Sequence, residues 1–216
     1  MTRLAAALAL AAAFLLARPA AAKETASAAV KTANEKLRSA LGAYVKSKGE
    51  DRKAARAGVR HAVDSLLDFK ALVKAAAGKH WGDMKPTEQH RFTEALRGVM
   101  EANYLVKGRE SGEVDVAKVK TEVTGEEPRE GQTLVKTTLQ SGDDSAKVDY
   151  VLEHHGKHWR AVDVITEGAS LVESYRDQIQ ELWPTKGFAG VVKSLEKKRS
   201  RLEAKLEAET APKAAE

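Results

Sequence analysis

From Ala28 to Lys46 the apolar positions Val30, Leu37, Leu41, Tyr44 and Val45 recur at helical spacing, with Lys and Glu between them, and predict an amphipathic helix. The charged stretch Ser47 to Arg52 interrupts it. Val59, Ala62, Val63, Leu66 and Leu67 then resume the i, i+3, i+4, i+7 repeat in a second helix. Asp68 is placed to cap a short third helix from Phe69 to Ala77, and Gly78 to end it. Pro86 suits the first turn of a long helix whose Phe92, Ala95, Leu96, Val99 and Met100 share one face.

Beyond Tyr104 the period changes to two and β-branched residues become frequent. Val114-Asp115-Val116 and Lys118 to Val123 read as the first strand region. Gln132 to Leu139, Ala146 to His154 and His158 to Ile165 read as three more strands. Ser141-Gly142-Asp143-Asp144 and His155-Gly156-Lys157 separate these as turns, which predicts an antiparallel meander of about four strands. Ser170 and Glu173 have capping-box spacing ahead of Leu171, Val172, Tyr175, Ile179 and Leu182, and Trp183-Pro184 is expected to break that helix. A last helix starts near Gly187 with Phe188, Val191, Val192 and Leu195 on one side. Helices flanking a run of strands favour an α+β fold, with helices packed on a curved sheet as a cone that can hold a ligand.

Charge and targeting signals narrow the setting. Arg3, the apolar run Leu4 to Leu16 and the small residues Ala20-Ala21-Ala22 form a signal-peptide pattern over residues 1–22, too short and too interrupted by Arg18 and Pro19 to suit a transmembrane span. The expectation is export to the periplasm, cleavage after Ala22, and no stable membrane insertion. There are no cysteines, so neither a disulfide frame nor a lipidated anchor is available. The formal net charge of +5 is spread along the chain and argues against a nucleic-acid partner. Residues 23–195 are expected to form one domain, and residues 196–216 a charged helix and polar tail, either a solvated face or a docking element.

Two stretches carry a family likeness. One runs from Leu67-Asp68-Phe69-Lys70-Ala71-Leu72 through Gly78-Lys79-His80-Trp81 and Pro86-Thr87-Glu88-Gln89 to Phe92 and Tyr104. The other joins Val148-Asp149-Tyr150-Val151-Leu152 to the run from Trp159 to Val172, which contains Asp163-Val164 and Glu167-Gly168-Ala169-Ser170-Leu171, and then to Tyr175-Arg176. The chain thereby resembles the MlaC (toluene-tolerance, Tgt2-like) family of periplasmic phospholipid-binding proteins that serve an ABC-type lipid transport system. The resemblance implies an NTF2-like sheet and helices around an apolar pocket. It also implies a monomeric carrier moving phospholipid between an inner-membrane MCE-domain transporter complex and an outer-membrane lipoprotein complex. The stretch after Tyr104 departs from the family pattern, turning quickly to polar sequence.

Acyl chains offer no directional bonds, so a lipid carrier needs surplus aliphatic and aromatic residues on inward faces. Candidate walls are Met100, Tyr104, Val135, Val148, Tyr150, Val164, Leu171, Val172 and Tyr175; the same residues would also suit a filled core. Trp81, Trp159 and Trp183 are expected to pack. The group His154, His155 and His158 has no supporting carboxylate at regular spacing and reads as an exposed hairpin, not a metal site. Asp149, Asp163 and Glu167 come without a nucleophile motif, and Asp163 with Glu167-Gly168 is expected to hold the strand-to-helix corner. The reading is therefore a non-enzymatic carrier with no catalytic residue and no cofactor, its bound phospholipid being cargo. The alternatives are a carrier of another apolar ligand, such as a hopanoid or quinone, and a structural or adaptor protein with a filled core.

Overall fold

A computed structural model of the chain describes residues 24–110 and 118–208. The signal-peptide pattern, the Val114-Asp115-Val116 strand candidate and the end of the polar tail lie outside these residues. Helix α1 (Ala26–Lys46), α2 (Asp51–Asp64), α3 (Phe69–Ala77), a 3-10 turn (Gly78–Trp81) and α4 (Pro86–Glu110) precede strands β1 (Lys120–Arg129), β2 (Gln132–Ser141), β3 (Asp144–His155), β4 (His158–Thr166) and β5 (Ala169–Ser170). The chain ends in α5 (Leu171–Ala208). The strands form one antiparallel sheet in sequence order, a meander. The α+β architecture expected from the sequence is present, with a two-residue fifth strand added.

Local chemistry explains the boundaries. Thr25 caps α1 and Asp68 caps α3, the Asp68 carboxylate accepting from the Ala71 amide at 2.9 Å. Helix α4 runs beyond Tyr104, where the sequence turns polar, because Leu105 and Val106 are buried against other helices. Nor does Pro184 break α5. Its missing N–H removes one bond, but helical angles persist until Gly187, whose φ of 57° makes the kink.

Three apolar clusters organise the interior. The largest joins α3, α4 and both halves of α5 through Leu72, Phe92, Leu96, Val99, Ile179 and Val191. A second lies between α1 and one face of the sheet, where Ala26, Ala29, Val30 and Ala33 meet Val135, Leu152 and Ala161. The third gathers the distal parts of α1, α2, α4 and α5 around Tyr44, Val59, Leu105 and Leu206. Leu206, only 6% exposed, thus ties the charged end of α5 to the rest of the molecule. Ion pairs reinforce this end: Glu101 receives Arg56 and Arg60, and Glu203 receives Arg56 and Arg199. Burial opposes ionisation of Glu203, but hydrogen bonds from Arg199 and Arg56 outweigh it and hold the carboxyl below its usual range.

The β4 edge is docked onto the helices. Leu66 and Asp68 exchange backbone hydrogen bonds with Ala161, both at 2.8 Å. The Arg160 guanidinium donates to the carbonyls of Asp64 and Leu67 at 2.8 and 2.9 Å, satisfying acceptors left free where α2 ends. Arg176 does the same for α3, donating to the Ala75 carbonyl at 3.0 Å.

Candidate functional site

The strand-to-helix corner is built around Asp163. Its carboxylate accepts from the Val164 and Val172 amides at 2.8 and 3.1 Å and from the Ser170 hydroxyl at 2.6 Å. The Ser170 hydroxyl in turn accepts from the Glu173 amide at 3.0 Å, which starts α5. Glu167 and Gly168 both take positive φ, 49° and 82°, as a two-residue hairpin of the primed type requires. The Glu167 carboxylate accepts from the Lys147 amide at 2.6 Å and fixes the turn against β3. Asp149 accepts from the Thr137 amide at 3.2 Å. These three acids position backbone.

Eight of the nine apolar candidates separate into two groups, Tyr104 belonging to neither. Met100, Leu171, Val172 and Tyr175 belong to the helical cluster of α3, α4 and α5. Val135, Val148, Tyr150 and Val164 belong to the sheet face beneath α1, where the register sets Val135 and Val164 on either side of Tyr150. Val148 lies two residues from Tyr150 and faces the same way. Val135 and Tyr150 are buried, whereas Val148 and Val164 are only half-buried.

This partial cover has a cause. Helix α1 lies on the sheet through Ala26, Ala29 and Ala33, small residues that permit close approach, but from Leu37 onward it packs with α2 and α4. The changeover falls at Asn34, which accepts a hydrogen bond from the Tyr150 hydroxyl at 2.9 Å. Burial pushes the Tyr150 phenol up to about 12, against the smaller effect of the Asn34 bond.

Tyr104 of α4 completes the picture. It retains 41% of its surface accessible, yet desolvation raises its phenol well above the ordinary value, with the nearby Tyr150 adding to the effect. Val148 and Val164 keep part of their surface uncovered where α1 departs from the sheet. Sequence reasoning passed over Asn34. The signal was present: a polar residue four after Val30 and three before Leu37, on the apolar stripe of α1.

Two recesses are open at the surface. One, of about 630 Å³, lies between α1, the α2–α3 connection and the β3–β4 hairpin, and is edged by Lys36, Asp68, His155, Trp159 and Arg160. None of the nine candidates lines it. The other, of about 270 Å³, runs between Ala71 and Ala75 of α3 and the strands, and includes Val172. In the hairpin, His155 lies 3.2 Å from Asp68 and 3.6 Å from Glu153, while His154 packs on Trp159. The Trp159 indole donates to the Glu24 carbonyl at 2.8 Å, and Trp183 stacks on His80 with ring centroids 4.1 Å apart. Trp81 is partly buried against the helical cluster, so all three tryptophans pack.

The family model described as MlaC protein matches residues 31–197. Among solved structures, the phospholipid-binding protein from Ralstonia solanacearum, determined in complex with a phospholipid at 1.53 Å, is similar in fold with a TM-score of 0.70 and 20% sequence identity. The alignment covers 82% of this chain and 98% of that one. No curated protein sequence matches the chain.

Proposed function

The chain belongs to the MlaC protein family, and we propose that it is a phospholipid carrier that captures lipid passively in the periplasm and hands it between inner- and outer-membrane complexes without catalysing a reaction. The observation that supports this reading is the half-covered apolar wall formed by Val148 and Val164 on the sheet face beneath α1. Aliphatic side chains on an inward face leave surface uncovered where an acyl chain can take their place against water. The fold shared with a protein solved with bound phospholipid supports the same ligand class.

The energetics favour a carrier that needs partners. Exposing roughly thirty methylenes of a diacyl lipid at about 0.8 kcal/mol each would cost on the order of 25 kcal/mol. Release into water is therefore slow, and hand-off requires a membrane complex that continues the apolar path. Among the described residues no helix is long and apolar enough to cross a membrane. An N-terminal sequence of the form expected for export fits a periplasmic site of action.

Organic extraction of the purified mature protein followed by mass spectrometry tests the ligand. Phospholipid in near-stoichiometric amount is expected; another lipid class, or no lipid, would contradict the proposal. Transfer assays between liposomes test the hand-off. Slow spontaneous exchange that accelerates with membrane complexes present is expected, and fast partner-independent exchange would count against a shuttle.

A further inference from the structure

Beyond the Gly187 kink, α5 divides its charges by face. Lys193, Lys197, Arg201 and Lys205 follow one another at i, i+4 spacing, all exposed, and form a row about 18 Å long on one side of the helix. Glu196, Glu203 and Glu207 fall on a separate row. Glu196 accepts from Arg91 of α4 at 3.1 Å and Glu203 from Arg56 of α2 at 3.0 Å, so these two acids are engaged by neighbouring helices. Arg199 is turned the same way, lying so close over Gly98 of α4 that a Cβ there would stand 2.7 Å from its Cδ. Lys193, Lys197 and Arg201 have no carboxylate partner among the described residues. Lys186 adds a further cation from across the kink, its Nζ donating to the Ser194 hydroxyl at 3.2 Å.

Like charges at i, i+4 weaken a helix, so a row of three such steps calls for an opposite charge outside the molecule. We propose that this face of α5 is a docking surface for an anionic phospholipid bilayer, with the helix lying along the headgroups. The inference goes beyond the carrier reading, and Arg201 and Lys205 lie outside the residues that the family model matches.

The rest of the face selects a membrane over a protein. Ser194, Ser200 and Ala204 stand among the cations, and among the described residues no large apolar side chain does, whereas protein interfaces centre on buried aromatic or aliphatic anchors. Val191, Val192, Leu195 and Leu206 are buried against other helices, so this half of α5 has no apolar face to insert between lipid chains. A diffuse anionic surface needs neither pocket nor register, and long basic side chains reach its phosphates from a fixed helix. The contact is therefore peripheral and sensitive to salt.

The test is co-sedimentation of the purified mature protein with vesicles of phosphatidylcholine, alone or mixed with phosphatidylglycerol. In about 0.1 M salt screening limits the field to about 10 Å, so only charges facing the vesicle count. The parent is expected to pellet with the mixed vesicles, not with the neutral ones, and to be released in about 1 M salt. Each basic side chain near such a surface strengthens binding about fivefold, so the double variant Lys197→Gln, Arg201→Gln should bind about 25-fold more weakly. Its thermal midpoint should not fall, since a like-charge contact is removed; if it fails to fold, Lys197→Gln alone is read for its fivefold loss. Lys31→Gln with Lys48→Gln removes the same charge from exposed positions beside and on α1 and should leave binding within about twofold. An equal loss in that control, or pelleting with neither kind of vesicle, would overturn the docking surface. So would equal pelleting with both, and binding to an acidic protein without any to the mixed vesicles. Phospholipid extracted from the same preparations keeps the two readings apart: lipid present without vesicle binding overturns the docking surface alone, and lipid absent with vesicle binding overturns the carrier alone.

Discussion

The helical cluster and the sheet face beneath α1 are made from the same kinds of residue and reach different ends. Leu72, Phe92, Leu96, Val99 and Val191 are fully enclosed because α3, α4 and both halves of α5 converge on them. Val148 and Val164 stay half-covered, because one helix reaches their face of the sheet and leaves it at Asn34. Aliphatic content therefore does not separate a closed core from a cavity wall; the number of elements covering it does. The helical side is closed, and the sheet side leaves Val148 and Val164 partly uncovered, the face on which the proposed carrier would hold cargo.

Substitutions should divide along that line. The largest effect is expected from Phe92→Ala, which leaves a void in the closed cluster and should cost about 3–5 kcal/mol in denaturant unfolding. A loss below about 1 kcal/mol would mean that this region is as loosely filled as the sheet side. Next comes Asp163→Ala, which strips three hydrogen bonds from the corner joining the two regions. It should cost about 2–3 kcal/mol, read in the same way, with lipid binding retained at temperatures where the variant is folded. Loss of lipid from a fully folded variant would instead make Asp163 part of the site.

The sequence showed some of these features and hid others for physical reasons. Caps, hairpin turns and helix faces depend on neighbours in the chain, so Asp68, Gly142 and the Phe92 face could be read directly. The Asp163 corner was legible as well, because Glu167-Gly168 and the Ser170 cap lie within a few residues of it. Where one helix stops covering a sheet depends on contacts between distant segments. That is why eight of the nine candidate walls, alike in sequence, divide between two clusters, and Tyr104 joins neither. The persistence of α5 through Pro184 as far as the Gly187 kink and of α4 through Glu110 has the same origin, since tertiary burial of Ile179, Leu105 and Val106 outweighs local breaking signals.

The tyrosines sharpen the comparison through pH. Burial raises both Tyr150, beneath α1, and Tyr175, in the helical cluster, to about 12. A tyrosine in the unfolded chain ionises near 10. The contribution of each group is thus fully present below about pH 10 and is lost as pH rises toward 12, because only the unfolded chain gains from ionisation there. Unfolding free energy should fall across that window, and Tyr150→Phe should remove about 2 kcal/mol of the fall by pH 12. Identical pH profiles for parent and variant would show that Tyr150 is already solvated in the folded protein.

The smallest stability change and the largest change in ligand content are expected from a single substitution, Val148→Trp. Bound phospholipid and thermal midpoint are measured on the same preparations of parent and variant. If the sheet face borders a lipid chamber, the indole occupies space otherwise taken by acyl chain. Lipid content should then fall severalfold, with a midpoint within a few degrees of a parent from which lipid has been removed. If that face is a filled core, the added ring overpacks it and costs about 1–3 kcal/mol. A large fall in midpoint, with no lipid in the parent, would contradict the account.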